Sequence, residues 1–444
     1  MVESCSSAKG GMRMRGKARR FRHWAASAGA SILLLLATGC GSDESIIGGG
    51  GVEMIWELPP TVEITLWHTY SDVEAWTFEH EVLPAFAKDH PDIRVVAMRK
   101  PYEYIKGALI SESTSSSGPD VVRLDMAWLP EFAKLGLVDP VDQYPDFADI
   151  VRTIYPTALE TNKYDGRYYG LPLNMNTKAA IYSRKLLEQA GAARPPDTMD
   201  ELIALSERTD QPLGIGGINA WSILPYFFGL GGKMTNEDYT QAIGYLDSEA
   251  SIRAVEKLKW LLDRGLISED SLTGVLNRWQ AVQDDKLLMI DEGPWYYTIL
   301  SQMNGGGGSL AEERTVAAPF PHNPETRAAI IGGENLVIMS GSQHKQAAWT
   351  LMQWLLDVPA QQMMFKTGLL PANSEASASL EDLGPTIRPF VESLNESFLR
   401  PPVTNWAKID KDFGETLERI MRGRTPAVQG MQQLAVRVQA LLKP

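Results

Sequence analysis

Cysteine is scarce in this sequence, with only two residues among 444, Cys5 and Cys40. Cys5 belongs to an N-terminal segment that has the features of an export signal, and Cys40 directly follows that segment. Cleavage immediately before Cys40 would remove Cys5 and make Cys40 the first residue of the mature chain. Such a chain has no second thiol for a disulfide, so cysteine-based catalysis and cysteine metal sites are excluded.

Histidine is also rare, and the motifs of common hydrolases are absent. The six histidines show no metal-ligand spacing, and His80-Glu81 lacks the second histidine of an HExxH motif. No GxSxG sequence exists, and the GLGGK sequence at residues 229–233 has its first glycine misplaced for a phosphate loop. We therefore predict no enzyme, no cofactor and no metal site. A secreted carbohydrate-active enzyme stays an alternative, because many acidic residues guarantee chance carboxylate pairs.

A hydrophobic run long enough to span a bilayer is absent from the N-terminus. The apolar segment 25–38 falls short of the roughly 20 residues that a membrane-spanning helix needs, and a basic segment, 13–22, precedes it. The sequence Ala37-Thr38-Gly39-Cys40, at the end of this apolar segment, resembles a bacterial lipobox. This resemblance implies that Cys40 is lipidated after cleavage. We predict a lipoprotein signal peptide at 1–39 and a flexible tether at 40–60. The exported protein would then be anchored to the membrane by lipid, facing the periplasm or the medium.

Positive charge is depleted in the rest of the chain. Residues 1–39 carry seven basic side chains and one acidic side chain, which leaves 35 basic and 54 acidic residues and a net charge of −19. An acidic body is not attracted to nucleic acid or to anionic lipid. We therefore expect neither as the main partner.

Strand and helix patterns alternate from Thr61 onward. The residues predict strands at 61–67, 92–98 and 119–124 and helices at 71–88 and 102–113. Ser71 and Glu74 form a potential capping box, and Pro84 is expected to kink or restart the first helix. Amphipathic helices are also predicted around residues 252–262 and 431–442. Alternating elements of this kind predict an α/β fold whose sheets are mainly parallel, with ligands beyond the carboxyl ends of the strands.

Ten segments between residues 61 and 444 resemble, in the same order, the extracellular solute-binding proteins of ABC importers, in the branch that binds maltose and multiple sugars. The segments are ITLWHTY, EVLPAFAKDHPDIRV, GPDVVRLDMAWLPEFAKLGLVDPVD, YDGRYYGLPLNMNTKAAIYSRKLLEQAG, PPDTMDELIAL, LMIDEGPWYYTIL, AAPFP, IGGENLVI, AAWTLMQWLL and TGLLPANSEA. The resemblance implies a two-lobed, periplasmic-binding-protein-like (Venus flytrap) fold with three hinge crossings. Lobe 1 would comprise 61–172 and 318–371, and lobe 2 would comprise 173–317 and 372–444.

The same resemblance implies that the chain captures a mono- or oligosaccharide between its lobes and delivers it to the transmembrane subunits of an ABC permease, acting as a monomer. A sugar needs flat aromatic rings for its C–H faces and directional polar groups for its hydroxyls. Trp295 and Trp406 match aromatic positions of the family and are the first candidates for stacking. Further candidates lie beside strand ends, hinges and glycine turns: Trp67, His68, Tyr70, Arg123, Asp125, Trp128, Asn174, Asn176, Trp221, Trp279, Asp291, Gly333 and Glu334.

Two alternatives keep the fold but change its use. The ligand could instead be a polyamine, a phosphodiester or a peptide, and cation selectivity would require several carboxylates around the aromatic rings. A surface adhesin or structural lipoprotein with a non-functional cleft is the other alternative, and it would show no thermal stabilisation by a ligand.

Overall fold

A computed structural model describes residues 62–112, 118–303, 310–323, 325–326, 328–380, 383–395 and 397–442. The predicted signal peptide, the lipidation site at Cys40 and the tether lie outside these residues. In the part of the chain that is described, no helix is long and apolar enough to cross a membrane.

Helices make up the outer layers of the fold. They are α1 (Asp72–Thr77), α2 (Leu83–Asp89), α3 (Tyr102–Glu112), α4 (Leu129–Lys134), α5 (Phe147–Ile150), α6 (Pro156–Glu160), α7 (Arg184–Gln189), α8 (Met199–Thr209), α9 (Ala220–Gly229), α10 (Glu249–Asp263), α11 (Glu269–Leu272), α12 (Arg278–Gln283), α13 (Trp295–Met303), α14 (Leu310–Arg314), α15 (Lys345–Leu355), α16 (Val358–Phe365), α17 (Ser374–Ala378), α18 (Gly384–Asn395), α19 (Trp406–Met421) and α20 (Ala427–Leu441).

The strands form two main sheets and two short ribbons. They are β1 (Val62–His68), β2 (Ile93–Arg99), β3 (Val121–Asp125), β4 (Lys163–Tyr164), β5 (Arg167–Tyr168), β6 (Leu171–Asn176), β7 (Ala179–Ser183), β8 (Leu213–Gly214), β9 (Met289–Glu292), β10 (Thr315–Ala318), β11 (Ala329–Ile330), β12 (Gly332–Ile338), β13 (Leu370–Pro371) and β14 (Ser397–Phe398). The larger sheet has the order β13-β6-β12-β3-β1-β2, and the smaller has the order β10-β7-β9-β8.

Both sheets are mixed, and the expectation of mainly parallel sheets is wrong. In the larger sheet β1 pairs in parallel with β2 and β3, whereas β12 runs antiparallel to β3 and β6, and β13 runs antiparallel to β6. In the smaller sheet only the β8–β9 pair among the described strands is parallel. The physical reason is that the chain leaves the larger sheet after β6, builds the smaller sheet and returns at β12, so β6 and β12 are not joined by a single helical crossover within one sheet.

Each main sheet is packed into its own hydrophobic core, which confirms the two-lobed α/β fold. Residues such as Ile64, Leu336 and Trp349 form a core around the larger sheet. A separate cluster that includes Tyr182 and Phe413 surrounds the smaller sheet. We call these the larger and the smaller lobe.

The first two boundaries between the lobes differ from the predicted positions. Residues 171–176 form β6 of the larger sheet, and the chain enters the smaller sheet only at Ala179. Pro172, which suggested a hinge, instead lies opposite a register shift in β12, where a strand tolerates proline. Phe320, Ala328 and Ile330 lie in the core of the smaller lobe, where the Phe320 ring packs against Tyr226 with ring centroids 5.0 Å apart.

The third boundary also differs from the prediction. Leu370 and Pro371 pair with β6 at the edge of the larger sheet, and the Asn373 side chain then donates to the Leu356 carbonyl at 2.8 Å. Helix α18, in contrast, packs against β10 and β7 of the smaller sheet. The chain therefore crosses between α17 and α18.

The local signals read from the sequence hold well at the N-terminal end of the larger lobe. β1, β2 and β3 and helix α3 lie within two residues of their predicted ranges. Ser71 and Glu74 form a complete capping box at α1. A π-helical turn, Phe78–Val82, precedes α2, which starts at Leu83 with Pro84 in its first turn. The predicted helices of the C-terminal half are α10 and α20.

Candidate functional site

Strand register brings five polar side chains of the larger lobe together. Glu334 on β12 lies beside Asp125 on β3 and beside Asn174 on β6. Residues two positions apart on a strand share a face, so Arg123 and Asn176 lie on the same side of the sheet. The residues are far apart in sequence, yet they form one polar surface, which we call the polar floor.

Glu334 is the centre of the polar floor. Its Oε2 accepts hydrogen bonds from Arg123 Nη2 at 2.7 Å, from Asn174 Nδ2 at 2.7 Å and from Asn176 Nδ2 at 3.5 Å. No described residue donates to Oε1. Burial raises the pKa of Glu334, and the Arg123 charge opposes that shift. A carboxylate held by one cation and two amides is oriented rigidly, and its second oxygen can accept from a ligand.

Residues behind the polar floor hold Arg123 in position, and one of them, Tyr70, was expected to contact the ligand itself. Its guanidinium lies 4.3 Å from the Tyr70 ring centroid and donates from Nη1 to Thr69 Oγ1 at 3.0 Å. His68 and Tyr70 are buried, and desolvation together with Arg123 lowers the pKa of His68 to about 4. Trp67 is buried in the core, with Lys100 Nζ 3.9 Å from its ring centroid. His68 and Tyr70 therefore support the site from behind, whereas Trp67 packs into the core on the other face of β1.

Two tryptophans of the smaller lobe form the opposite wall. The rings of Trp221 and Trp295 are stacked, with centroids 6.3 Å apart and an angle of 25° between their planes, and both are partly exposed. Asn219 caps α9 and so positions Trp221 in its first turn. The Trp295 ring lies against Gly293, where a Cβ atom would come within 2.3 Å of it. Glycine is therefore required for this ring position.

Glu292 holds the aromatic wall in place. Trp295 donates from Nε1 to Glu292 Oε1 at 3.1 Å, and Trp279 donates from Nε1 to Oε2 at 2.6 Å. Arg278 Nη2 lies 3.2 Å from the same Oε2. Trp279 is partly exposed beside this carboxylate and faces the edge of Tyr296, with centroids 5.4 Å apart.

Asp291, an expected ligand contact, is instead part of a buried network. It pairs with Lys178, and both side chains are at most 1% exposed. Tyr226 donates to Asp291 Oδ1 at 3.0 Å, and Arg278 lies 3.7 Å from the same oxygen. Lys178 Nζ lies 5.2 Å from the Trp221 ring centroid. Asp291 lies on a strand between two others, so its side chain is enclosed and acts on the cleft through Lys178.

Among the described residues, contacts between the lobes include two that involve residues of the cleft. Gly332 of the larger lobe touches the Trp221 ring so closely that a Cβ atom would lie 2.6 Å from it. Gly333 has a φ of 136°, and a Cβ atom there would lie 2.2 Å from the Asn174 carbonyl oxygen. Both glycines therefore allow close backbone approach, as their sequence context suggested.

The second approach joins Asp125 to Arg400. Arg400 Nη2 lies 3.4 Å from Asp125 Oδ1, while Tyr102 donates to Asp125 Oδ2 at 2.8 Å. Trp128 is partly exposed nearby, with its ring centroid 5.1 Å from that of Tyr102. Trp406, expected to stack on a ligand, is buried in the core of the smaller lobe because it begins the amphipathic helix α19.

Sequence reasoning missed several residues of this site. Arg400 and Tyr102 have no motif around them, and Lys178 lies in a family-like segment that does not by itself indicate its role; all three act at the cleft through tertiary contacts. Glu292 was accessible to reasoning, because it directly follows Asp291 and precedes the Gly-Pro turn before Trp295.

Eight buried side-chain polar atoms have no partner among the described residues, and half of them lie at or behind the cleft. Four of them are His68 Nε2, Arg123 Nε, Asn176 Oδ1 and Arg400 Nε. An unsatisfied buried polar atom is costly, so its presence at one place indicates that water or a ligand completes the bonding. Within the described ranges no group of three or more histidine, cysteine or acidic residues could hold a metal ion.

Two lobes that face each other across a polar and aromatic cleft define a binding protein of the two-lobed class. Residues 81–383, more than half of the chain, match the family described as bacterial extracellular solute-binding protein. The chain belongs to this family, which confirms the resemblance read from the sequence. Because the family is extracellular, the chain is an exported protein.

Known relatives cover most of the folded part. A maltotriose-binding protein of Pyrococcus abyssi (strain GE5 / Orsay) is 25% identical over 355 residues, which are 76% of this chain and 73% of that protein. The GacH receptor of Streptomyces glaucescens GLA.O, solved unliganded and with acarbose, has a TM-score of 0.75 at 23% identity over 86% of this chain and 98% of the receptor. The sugar-binding protein MalE of Xanthomonas citri has a TM-score of 0.73 at 23% identity, over 86% and 97% of the respective chains. These structures share the fold, and the relatives are described as binding proteins or a receptor.

Proposed function

We propose that this protein is the lipid-anchored substrate-binding component of an ABC importer and captures a mono- or oligosaccharide between its lobes. The observation that carries the proposal is the pairing of the Trp221–Trp295 wall with the polar floor around Glu334. Aromatic planes accept the C–H faces of a sugar ring, while carboxylate and amide groups bind its hydroxyls in defined directions. The names of the relatives support this ligand class, since they include maltotriose-binding and sugar-binding proteins.

Capture is proposed to work by hinge closure. A ligand that contacts Trp295 on one lobe and Glu334 on the other bridges the cleft and favours the closed arrangement. A shift from 1% to 99% closed requires about 5.5 kcal/mol of differential binding. A stacked ring and a few buried hydrogen bonds are of this order. The closed protein then docks on the permease, and lipid on Cys40 would keep it near the membrane.

Ligand titration by isothermal calorimetry tests the proposal. The panel contains glucose, maltose, maltotriose and longer glucans, and we expect at least one to bind and to raise the melting temperature. Removing the stacking face with Trp295→Ala should weaken that binding by about tenfold or more. Trp76→Ala is the matched control, because Trp76 is 57% exposed on α1 and outside the cleft.

Two outcomes would contradict the proposal. Absence of any thermal shift or heat across the panel would argue against a sugar ligand. Equal loss of affinity in the Trp295→Ala and Trp76→Ala proteins would argue against the Trp221–Trp295 wall as the binding surface. Cleavage of the oligosaccharides during incubation would instead favour an enzyme.

A further inference from the structure

Arg400 reaches across the cleft from the smaller lobe. It follows β14, which pairs with β11, and Phe398 of β14 packs on Phe228 with ring centroids 4.0 Å apart. From this anchored segment the guanidinium extends to Asp125 at the end of β3 in the larger lobe, 3.4 Å from Oδ1. The ion pair therefore joins the two walls of the cleft.

The pair lies beside the aromatic wall and is largely shielded from solvent. The side chains of Arg400 and Asp125 are 12% and 14% exposed. The Arg400 guanidinium carbon lies 5.8 Å from the Trp221 ring centroid. Low exposure reduces dielectric screening, so charges at this position act more strongly than charges on the surface.

Two carboxylates lie on the Trp221 side of the cleft, and the Arg400 charge acts on both. One is Asp125, and the other is Asp410 on α19, whose Oδ1 accepts from the Ala220 backbone N–H at 2.7 Å, one residue before Trp221. Burial raises the pKa of Asp410, while the Ala220 N–H and the Arg400 charge oppose that shift. Without Arg400, two carboxylates would stand around an aromatic ring, which is the arrangement that attracts an organic cation.

Three further pairs of buried charges lie near the cleft. Arg123 pairs with Glu334 at 2.7 Å, Arg278 with Glu292 at 3.2 Å, and Lys178 with Asp291. Each of these pairs adds no net charge. The balance at the aromatic wall therefore depends on Arg400.

We propose that Arg400 is a specificity-determining residue that makes the cleft select uncharged ligands and reject organic cations. Arg400 neutralises the negative charge of Asp125 beside the Trp221 ring. It also places its own positive charge where the ammonium group of a ligand would stack on that ring. Its buried Nε, which has no partner among the described residues, is a donor for a ligand hydroxyl. That the ligand is uncharged rests on the proposed function as a sugar-binding protein, which this role of Arg400 deepens. The same role argues against the polyamine alternative.

The test compares spermidine and maltotriose binding by calorimetry in the full chain. Arg400→Met keeps an apolar stem over Trp221 and removes the charge, and we expect it to bind spermidine at least about tenfold more tightly than the wild type does. The gain should shrink with added salt. Arg400→Lys retains the charge and should continue to reject spermidine. Arg424→Met changes the net charge equally at an exposed position and should leave spermidine binding unchanged.

A second variant separates charge selection from a structural effect. Adding Asp125→Asn to Arg400→Met should abolish the spermidine gain, whereas a merely loosened cleft would keep it. Spermidine binding by the wild type, or no gain in a folded Arg400→Met protein, would overturn the proposal. If the wild type binds no sugar but Arg400→Met gains spermidine, the sugar proposal fails and the role of Arg400 stands. If the wild type binds maltotriose and the Arg400→Met protein gains no spermidine binding, the sugar proposal stands and the proposed role of Arg400 fails.

Discussion

A single methyl group at Gly332 is expected to weaken ligand binding by obstructing the contact between the lobes. Gly332 begins β12 in the larger lobe, and its Cα faces the Trp221 ring of the smaller lobe. A Cβ atom there would lie 2.6 Å from Trp221 Cζ3 and 2.8 Å from Cη2. These distances are far below van der Waals contact, so Gly332→Ala requires the ring or the lobe to move.

The magnitude follows from the cost of overpacking. An extra methyl group in a tightly packed contact costs about 1–3 kcal/mol. Because the contact lies between lobes, that cost falls on the closed arrangement, and the expected loss of affinity is about 5- to 150-fold. If Trp221 relieves the clash by turning, its stacking with Trp295 is disturbed, and affinity falls as well. The backbone at Gly332 is not in the left-handed region, so the substitution adds no conformational strain of its own.

Calorimetric titration with the best sugar of the panel provides the assay, with a melting curve of the ligand-free protein beside it. Gly107→Ala is the matched control, because Gly107 lies in helix α3 with open space around its Cα. It should keep full affinity and gain slight stability from better helix propensity. Unchanged affinity in Gly332→Ala, with a wild-type melting temperature, would refute the reasoning.

Two further predictions concern buried charge. The pKa of His68 is lowered from 6.5 to about 4, so the folded protein should lose about 3 kcal/mol of stability as the pH falls from 6.5 towards 4, where only the unfolded state readily takes up the proton. The melting temperature of the His68→Gln protein should therefore depend less on pH in this range. Parallel plots of melting temperature against pH for the variant and the wild type would contradict this. Lys178→Met removes the lysine that pairs with buried Asp291 and leaves only Tyr226 and Arg278 beside this carboxylate, which should cost about 3 kcal/mol in urea unfolding. The control Lys185→Met breaks a pair with Asp285 whose lysine is 63% exposed, which should cost at most about 1 kcal/mol, and equal costs would argue against the buried network.

Local signals explain why part of the fold was readable from the sequence. The capping box at Ser71 and Glu74 and the alternation in β1 depend on residues a few positions apart, and the structure has both. The positions of the lobe boundaries depend on pairing between distant segments. Pro172 is typical of a hinge when seen alone, yet it is accommodated in β6 because the partner strand shifts register there.

The sequence predicted many of the residues of the candidate site, but it did not predict which way their side chains point. Arg123, Asn174 and Glu334 were all named from sequence, and the register of three strands brings them together. Whether an aromatic ring faces the cleft or the core depends on which side of an element it occupies. Trp295 is partly exposed in the cleft, whereas Trp406 begins a helix whose apolar side enters the core.

The insertion of β12 between β3 and β6 has a consequence for how the protein is made. Arg123 and Glu334 are 211 positions apart, so the Arg123–Glu334 pair cannot form until most of the chain has been synthesised. Before then one edge of β3 offers unpaired backbone groups to any neighbouring strand. Contacts of such long sequence separation slow folding and extend the time in which the incomplete sheet can aggregate.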